Sequence, residues 1–181
     1  KPSSSNRTAR QNIQKQLTNE FVKFLRWSID RAKKSIPSVF ALIMPSSFAK
    51  HTSYKFARKY LSENVSDLWV LEFDTDNRTG AEGSNVFKTL QGRLVLVGVL
   101  KSEQNKNISI NYKNICNLSR QEKHNYFNSE VTLTEWSTTN KLDENFSFKP
   151  TSDYDVEMYS RFWPITTDKE EGIFLRHCSS L

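Results

Sequence analysis

The side chains of this 181-residue chain best suited to chemistry are three histidines, two cysteines and two aspartates at a strand end. His51, His124 and His177 share no local ligand spacing, and each reads as a surface or capping residue rather than a general base. Cys116 and Cys178 form no CxxC pair, so free thiols are expected. Asp74 and Asp76 flank Thr75 where a strand should end. Two carboxylates there suit a cation, but loop-flanking aspartates commonly serve turn chemistry, and no metal site is expected. The sequence carries no GxGxxG, no P-loop, no GxSxG and no HExxH. Taken alone, it is short of a complete active site.

A second set of residues suits binding rather than bond-making. Lysine and arginine total 26 against 20 acidic residues, a formal net charge of +6. That balance is compatible with nucleic acid, although the basic residues are spread along the chain and most belong to a solvated face. Lys50, Lys55, Arg58 and Lys59 would give one helix a basic side. Arg78 and Lys88 stand on either side of Gly80 and Gly83, where a loop is able to bring them to phosphate. Asn85 carries a side-chain amide suited to a base edge or, more safely, to backbone capping. For each, an ordinary wet surface is the competing reading.

The elements that must position these residues alternate between helical and strand periods. Apolar residues recur at Ile13, Leu17, Phe21, Phe24/Leu25 and Ala32, which predicts one amphipathic helix over about 12–34 with Phe21 and Trp27 inward. Residues 38–44 form a nearly continuous apolar run between Pro37 and Pro45, expected as a central parallel strand. Ser46 or Ser47 then offers an N-cap, and a helix over about 53–64 should place Phe56, Tyr60 and Leu61 inward. Strands are expected at 67–73, 93–100 and 108–112, with a loop at 75–84 between the first two. Ser119 and Glu122 make a capping box for a further helix. Beyond Asn128 the texture changes to short pieces such as 131–133, punctuated by Trp136, Phe146, Phe148, Phe162 and Trp163, and a soft boundary is placed there.

This order gives an α/β fold that looks like half of a doubly wound sheet. Ligand crevices in such sheets open beyond the carboxyl ends of the strands. Ser46, Ser47 and Phe48 are therefore expected at a substrate crevice, together with the loop after Asp74. No apolar run reaches the roughly 20 residues of a membrane helix. The start Lys1-Pro2-Ser3-Ser4-Ser5 has no apolar leader. A cytoplasmic location is expected, and without an initiator Met the chain reads as a piece of a longer protein.

An ordered set of segments is more specific than these patterns. It runs from Asn19-Glu20-Phe21-Val22-Lys23-Phe24-Leu25-Arg26-Trp27 to the strand Phe40-Ala41-Leu42-Ile43-Met44-Pro45-Ser46-Ser47-Phe48. Leu61-Ser62-Glu63-Asn64 and Leu68-Trp69-Val70-Leu71 follow, then Arg78-Thr79-Gly80-Ala81-Glu82-Gly83, Asn85-Val86-Phe87 and Trp163-Pro164-Ile165. The set resembles adenine-specific DNA methyltransferases of restriction–modification systems, above all the methylase region of large single-chain enzymes that also carry nuclease, helicase-like and target-recognition parts. The resemblance spans about residues 16–175.

It implies a partial Rossmann-like methyltransferase sheet, its second half, over residues 1–128, with 129–181 leading into a target-recognition region. It implies S-adenosylmethionine as methyl donor, double-stranded DNA as partner and N6 of a flipped adenine as acceptor. The family's glycine loop and Asn/Asp-Pro-Pro-Tyr/Phe motif are absent, since no two prolines are adjacent; both are expected in an upstream half. Phe87 matches the aromatic position between the last two strands that packs on the flipped base, with a strand-end core residue as the alternative. The rival readings are a non-catalytic DNA-binding or specificity module and a structural interaction domain without a DNA role.

Overall fold

A computed structural model describes residues 19–76, 84–87, 89–102, 108–130 and 135–150. Residues Lys1–Lys149 form one compact unit and Pro150–Leu181 a second. Helix α1 (Glu20–Ala32) is followed by strand β1 (Ser38–Pro45), 3-10 turns at Ser46–Ala49 and Thr52–Tyr54, and helix α2 (Lys55–Ser62). Strand β2 (Asp67–Glu72), strands β3 (Arg93–Leu100) and β4 (Ser109–Asn114), helix α3 (Arg120–Asn128) and strand β5 (Ser137–Thr139) complete the described elements. The α/β architecture is as expected from sequence. Among the described residues no helix is long and apolar enough to cross a membrane.

The sheet order is β1-β3-β2-β4-β5. Strand β3 runs antiparallel to both β1 and β2, so those two strands point the same way with a reversed strand between them. Strand β4 is parallel to β2, and β5 returns antiparallel to β4. On one face α1 and α2 cover Met44, Leu68, Val70, Leu94, Leu96 and Ile110, all buried, with Leu25, Ile29 and Leu61 from the helices. Each such side chain contributes on the order of 1.5–3 kcal/mol on leaving water. On the other face a smaller cluster of Leu71, Phe73 and Ile115 gathers Val95, Tyr126 and Trp136. The Trp136 ring stands edge-on to Trp69, with centroids 5.3 Å apart.

Several expectations are corrected. Strand β1 lies at a sheet edge, antiparallel to its neighbour, rather than at the centre of a parallel sheet. Its second face, Val39, Ala41 and Ile43, is apolar yet exposed, so composition alone mimicked burial on both sides. Helix α1 starts later than expected, because the Asn19 carboxamide accepts from the Phe21 N–H and its backbone is extended. Trp27 and Phe56 point outward, with 61% and 67% of their surface exposed. Neither Ser46 nor Ser47 caps the following turn; Pro45 holds that position without a side-chain bond. The capping box of Ser119 and Glu122 forms as read. After Asn128, β5 pairs with β4 and Phe148 is fully buried against Phe48. The strand expected at 131–133 and the aromatics Phe162 and Trp163 lie outside the described residues.

Arg58 binds this last stretch to the core. Expected on a basic surface, it is fully buried instead. Its guanidinium donates to the carbonyls of Phe48, His51, Asn145 and Phe146 at 2.7–2.9 Å. Burial lowers its pKa to about 10, opposed by the Asp143 charge, so it remains a cation at neutral pH. The Asp143 carboxylate in turn accepts from the N–H groups of Asn145 and Ser147, and Phe146 between them adopts a left-handed φ of 54°. A non-glycine residue there costs roughly 1–2 kcal/mol, which the Arg58 fork offsets. Arg58→Met keeps the apolar stem but leaves four buried carbonyls without a donor. The variant is expected to lose about 3 kcal/mol or more of unfolding free energy in a urea titration. A loss within 0.5 kcal/mol, roughly the scatter of a surface substitution, would show that the fork is dispensable.

Candidate functional site

The carboxyl ends of β1 and β2 meet the start of β3 at one end of the sheet. Pro45 pairs with Arg93, and Glu72 with Leu94. Gly92 seals the junction. Its carbonyl accepts from the Ser46 N–H at 2.9 Å, and a Cβ in its place would stand 2.5 Å from both the Asp74 carbonyl oxygen and the Ser46 hydroxyl. Only glycine permits that approach. Ser46 and the chain after Asp74 are thus neighbours, although one follows β1 and the other β2.

Asp74 organises the segment that leads into β3. It is fully buried, and its two carboxylate oxygens accept the N–H groups of Val86 and Phe87 at 2.7 and 3.0 Å. Asn85 repeats the pattern one residue along: its carboxamide oxygen accepts from the Thr75 N–H and its amide donates to the Thr75 carbonyl. Helix α3 closes over this clamp. The Lys123 ammonium, also fully buried, lies 3.8 Å from the Asp74 carboxylate and donates to the Ser84 carbonyl at 2.8 Å. Arg120 donates to the Val86 carbonyl at 3.1 Å. Residues 84–87 are therefore fixed through the backbone of Ser84, Val86 and Phe87 and the side chain of Asn85.

Phe87 is the side chain this framework presents. It is 40% exposed, with its other side against Phe73 at a centroid distance of 5.9 Å. Phe73 is itself buttressed edge-on by Phe127 of α3 at 5.5 Å. A partly exposed aromatic ring held against a buried one is a platform for another flat group. Beside it, Thr75, Ser84, Asn114, Cys116 and Asn117 line an open cleft of about 680 Å³ beyond the carboxyl ends of the parallel pair β2 and β4. Glu72 stands nearby, buried, accepting from the Tyr112 hydroxyl at 2.6 Å. Burial and the Glu72 charge push the Tyr112 phenol well above its usual value, so it donates at any physiological pH. A second, apolar groove of about 550 Å³ lies between α1 and α2, lined by Leu25, Trp27, Tyr54, Phe56 and Tyr60 among others. Its one carboxylate, Asp30, is bound by Arg26 and Tyr60.

The residues singled out from sequence divide accordingly. Phe87, Asn85 and Ser46 come together at the sheet end, and Asn85 acts there as a backbone clamp. Ser47 is half-buried, and its carbonyl accepts from the His51 N–H. Phe48 does not face a crevice; it is fully buried against Tyr54 and Phe148. Lys50 is exposed, Lys55 half-buried, and Arg58 is withdrawn from the basic patch by burial. Arg78 and Lys88 lie outside the described residues. Among the described residues no group of acidic, histidine or cysteine side chains is arranged to hold a metal. Sequence reasoning weighed Asp74 only as a turn or cation residue and missed Lys123. The polar stretch around Asp74 gives no sign of its burial, and nothing local points to its partner 49 positions on.

Cys116 reports on the cleft. Burial and the Glu72 charge raise its thiol to about 11. Since the thiolate is the reactive species, alkylation by iodoacetamide at pH 8 is expected to be slow and to rise steeply toward pH 11. Peptide mapping separates it from Cys178; fast labelling of Cys116 at pH 8 would contradict a shielded cleft wall.

No family model matches the chain, and no curated protein matches it. Solved structures do. The chain superposes with a TM-score of 0.67 on a nuclease-deletion mutant of the Type ISP restriction-modification enzyme LlaGI in complex with a DNA substrate mimic, at 20% identity over 87% of this chain. The ATP-dependent Type ISP restriction-modification enzyme LlaBIII bound to DNA gives 0.59 at 22% identity over 88%. A DrdV–DNA complex gives 0.62 at 20% identity over 96%. The chain spans 13%, 11% and 19% of those three chains. At these identities the likeness shows a shared fold.

Proposed function

We propose that this chain is part of a DNA restriction–modification enzyme and forms the second half of its adenine-N6 methyltransferase domain. The observation that carries the reading is Phe87, a partly exposed aromatic ring whose backbone is fixed by Asp74 at the carboxyl ends of β1 and β2. The fold shared with DNA-bound restriction-modification enzymes supports it, as does the ordered set of segments in the sequence. On this reading the target adenine leaves the duplex and stacks on Phe87. Lys50 and Lys55, with Arg78 and Lys88 in the loop, would meet phosphate, and residues 129–181 lead toward a target-recognition region.

Among the described residues β1 is an edge strand, which supports the idea of a half-sheet. Val39 and Ile43 leave 65% and 50% of their surface exposed on an eight-residue strand without a charged side chain. Such an edge invites another strand, and the apolar face beside it invites a covering helix. An upstream half of the methyltransferase domain would supply both. S-adenosylmethionine, the donor in this reading, is not accommodated by the described residues alone. The cleft at the sheet end offers hydroxyl, amide and thiol groups, while Glu72 and Asp74 are committed to Tyr112, Val86, Phe87 and Lys123. On this reading the donor site belongs to the upstream half.

The test is methyl transfer from labelled S-adenosylmethionine to duplex DNA by the intact parent enzyme. Phe87→Ala should lower kcat/KM about 5- to 150-fold, the equivalent of the roughly 1–3 kcal/mol of one base stack, and Phe87→Trp should retain most activity. The isolated chain should transfer nothing. Unchanged activity in Phe87→Ala would remove the stacking role, turnover by the isolated chain would show that it is not a half-domain, and an intact parent that transfers no methyl would leave a non-catalytic DNA-binding module as the better account.

A further inference from the structure

We infer that the buried Asp74–Lys123 pair is a positioning device for the base platform, setting the height and orientation of Phe87 through its backbone. The inference rests on the base-stacking reading of Phe87 and extends it to residues that touch no base. A phenyl ring half-exposed at a loop end loses stacking energy if the loop wanders by an ångström. In this chain the Phe87 N–H and its predecessor are each held by one oxygen of a single carboxylate that is fully buried, so the ring's Cα is tied to the end of β2. The carboxylate is itself fixed: the chain at Asp74 bonds across to Arg93 in both directions, 3.1 and 3.2 Å.

Lys123 completes the device from the other side. A buried carboxylate needs compensation, and two backbone N–H groups supply part of it. The Lys123 ammonium supplies the rest while its hydrogen bond to the Ser84 carbonyl stops the segment from lifting away from α3. Arg120 and Phe127, one turn to either side on the same helix, hold Val86 and Phe73. Helix α3 therefore acts as a splint for the segment 84–87, and motion of α3 would be felt first at Phe87. Satisfying three neighbouring backbone groups with one buried ion pair is a costly way to hold an ordinary turn, which a neutral asparagine does one residue away at Asn85.

A double-mutant cycle in the intact parent enzyme tests the inference. Asp74→Asn should lower kcat about tenfold or more while the Kd for duplex DNA changes less than about threefold, because phosphate contacts elsewhere are untouched. In a Phe87→Ala background the same substitution should cost no further activity, since the device acts only through that ring. Full, additive loss in that background would overturn the positioning role and leave the base-stacking reading intact. A Phe87→Ala enzyme of normal activity would overturn both. If Asp74→Asn alone fails to fold because Lys123 is left unpaired, Asp74→Asn/Lys123→Met removes both charges and serves in its place. Hydrogen exchange of the wild type gives an independent reading: the Val86 and Phe87 amides should exchange at least a hundredfold more slowly than open-loop amides, and open-loop rates would overturn the clamp.

Discussion

One carboxylate governs the functional end of this molecule. Asp74, two residues past the end of β2, takes the N–H groups of Val86 and Phe87 onto its two oxygens and faces the ammonium of Lys123 with no exposure to solvent. From that constraint follow the path of the chain into β3, the close approach at Gly92 and the packing of α3 over the sheet end. The arrangement joins three separate parts of the sequence. Removing the carboxylate would release two backbone donors and strand a buried cation at once, each of which is expensive in a low-dielectric interior.

Much of the element order was legible because it rests on short-range pattern. The apolar runs at 38–44, 67–73 and 93–100 emerged as β1, β2 and β3 with ends shifted by a residue or so. The Ser119/Glu122 capping box formed because both bonds lie within one turn. What sequence could not reveal was the far side of each element. Val39, Ala41 and Ile43 have the composition of a covered face, and only the sheet order makes them an edge. Arg58 has a charged surface identity, and only the backbone carbonyls gathered from 48, 51, 145 and 146 make it a core residue. Trp27 and Phe56 sit at apolar helical positions but face away from the sheet.

The candidate site divides along the same line. Asn85 was legible as a backbone clamp because its carboxamide suits that role next to a strand, while Phe87 was singled out through the resemblance. Phe48 was assigned to the crevice from proximity along the chain, yet the 3-10 turn after Pro45 rotates it into the core. Asp74 and Lys123 were hidden because a buried pair leaves no mark on either local sequence. Among the described residues β1 is an edge strand, and the carboxylates nearest the cleft are committed to Tyr112, Val86, Phe87 and Lys123.

The most direct test of this account is a structure of the intact parent enzyme on a duplex containing its methylation site. The account predicts an adenine turned out of the helix with its ring lying flat on the open face of Phe87 at van der Waals distance, while the Asp74 carboxylate still holds the Val86 and Phe87 amides. Phe87 packed wholly against protein, with the target base seated on another residue or still within the stack, would contradict it.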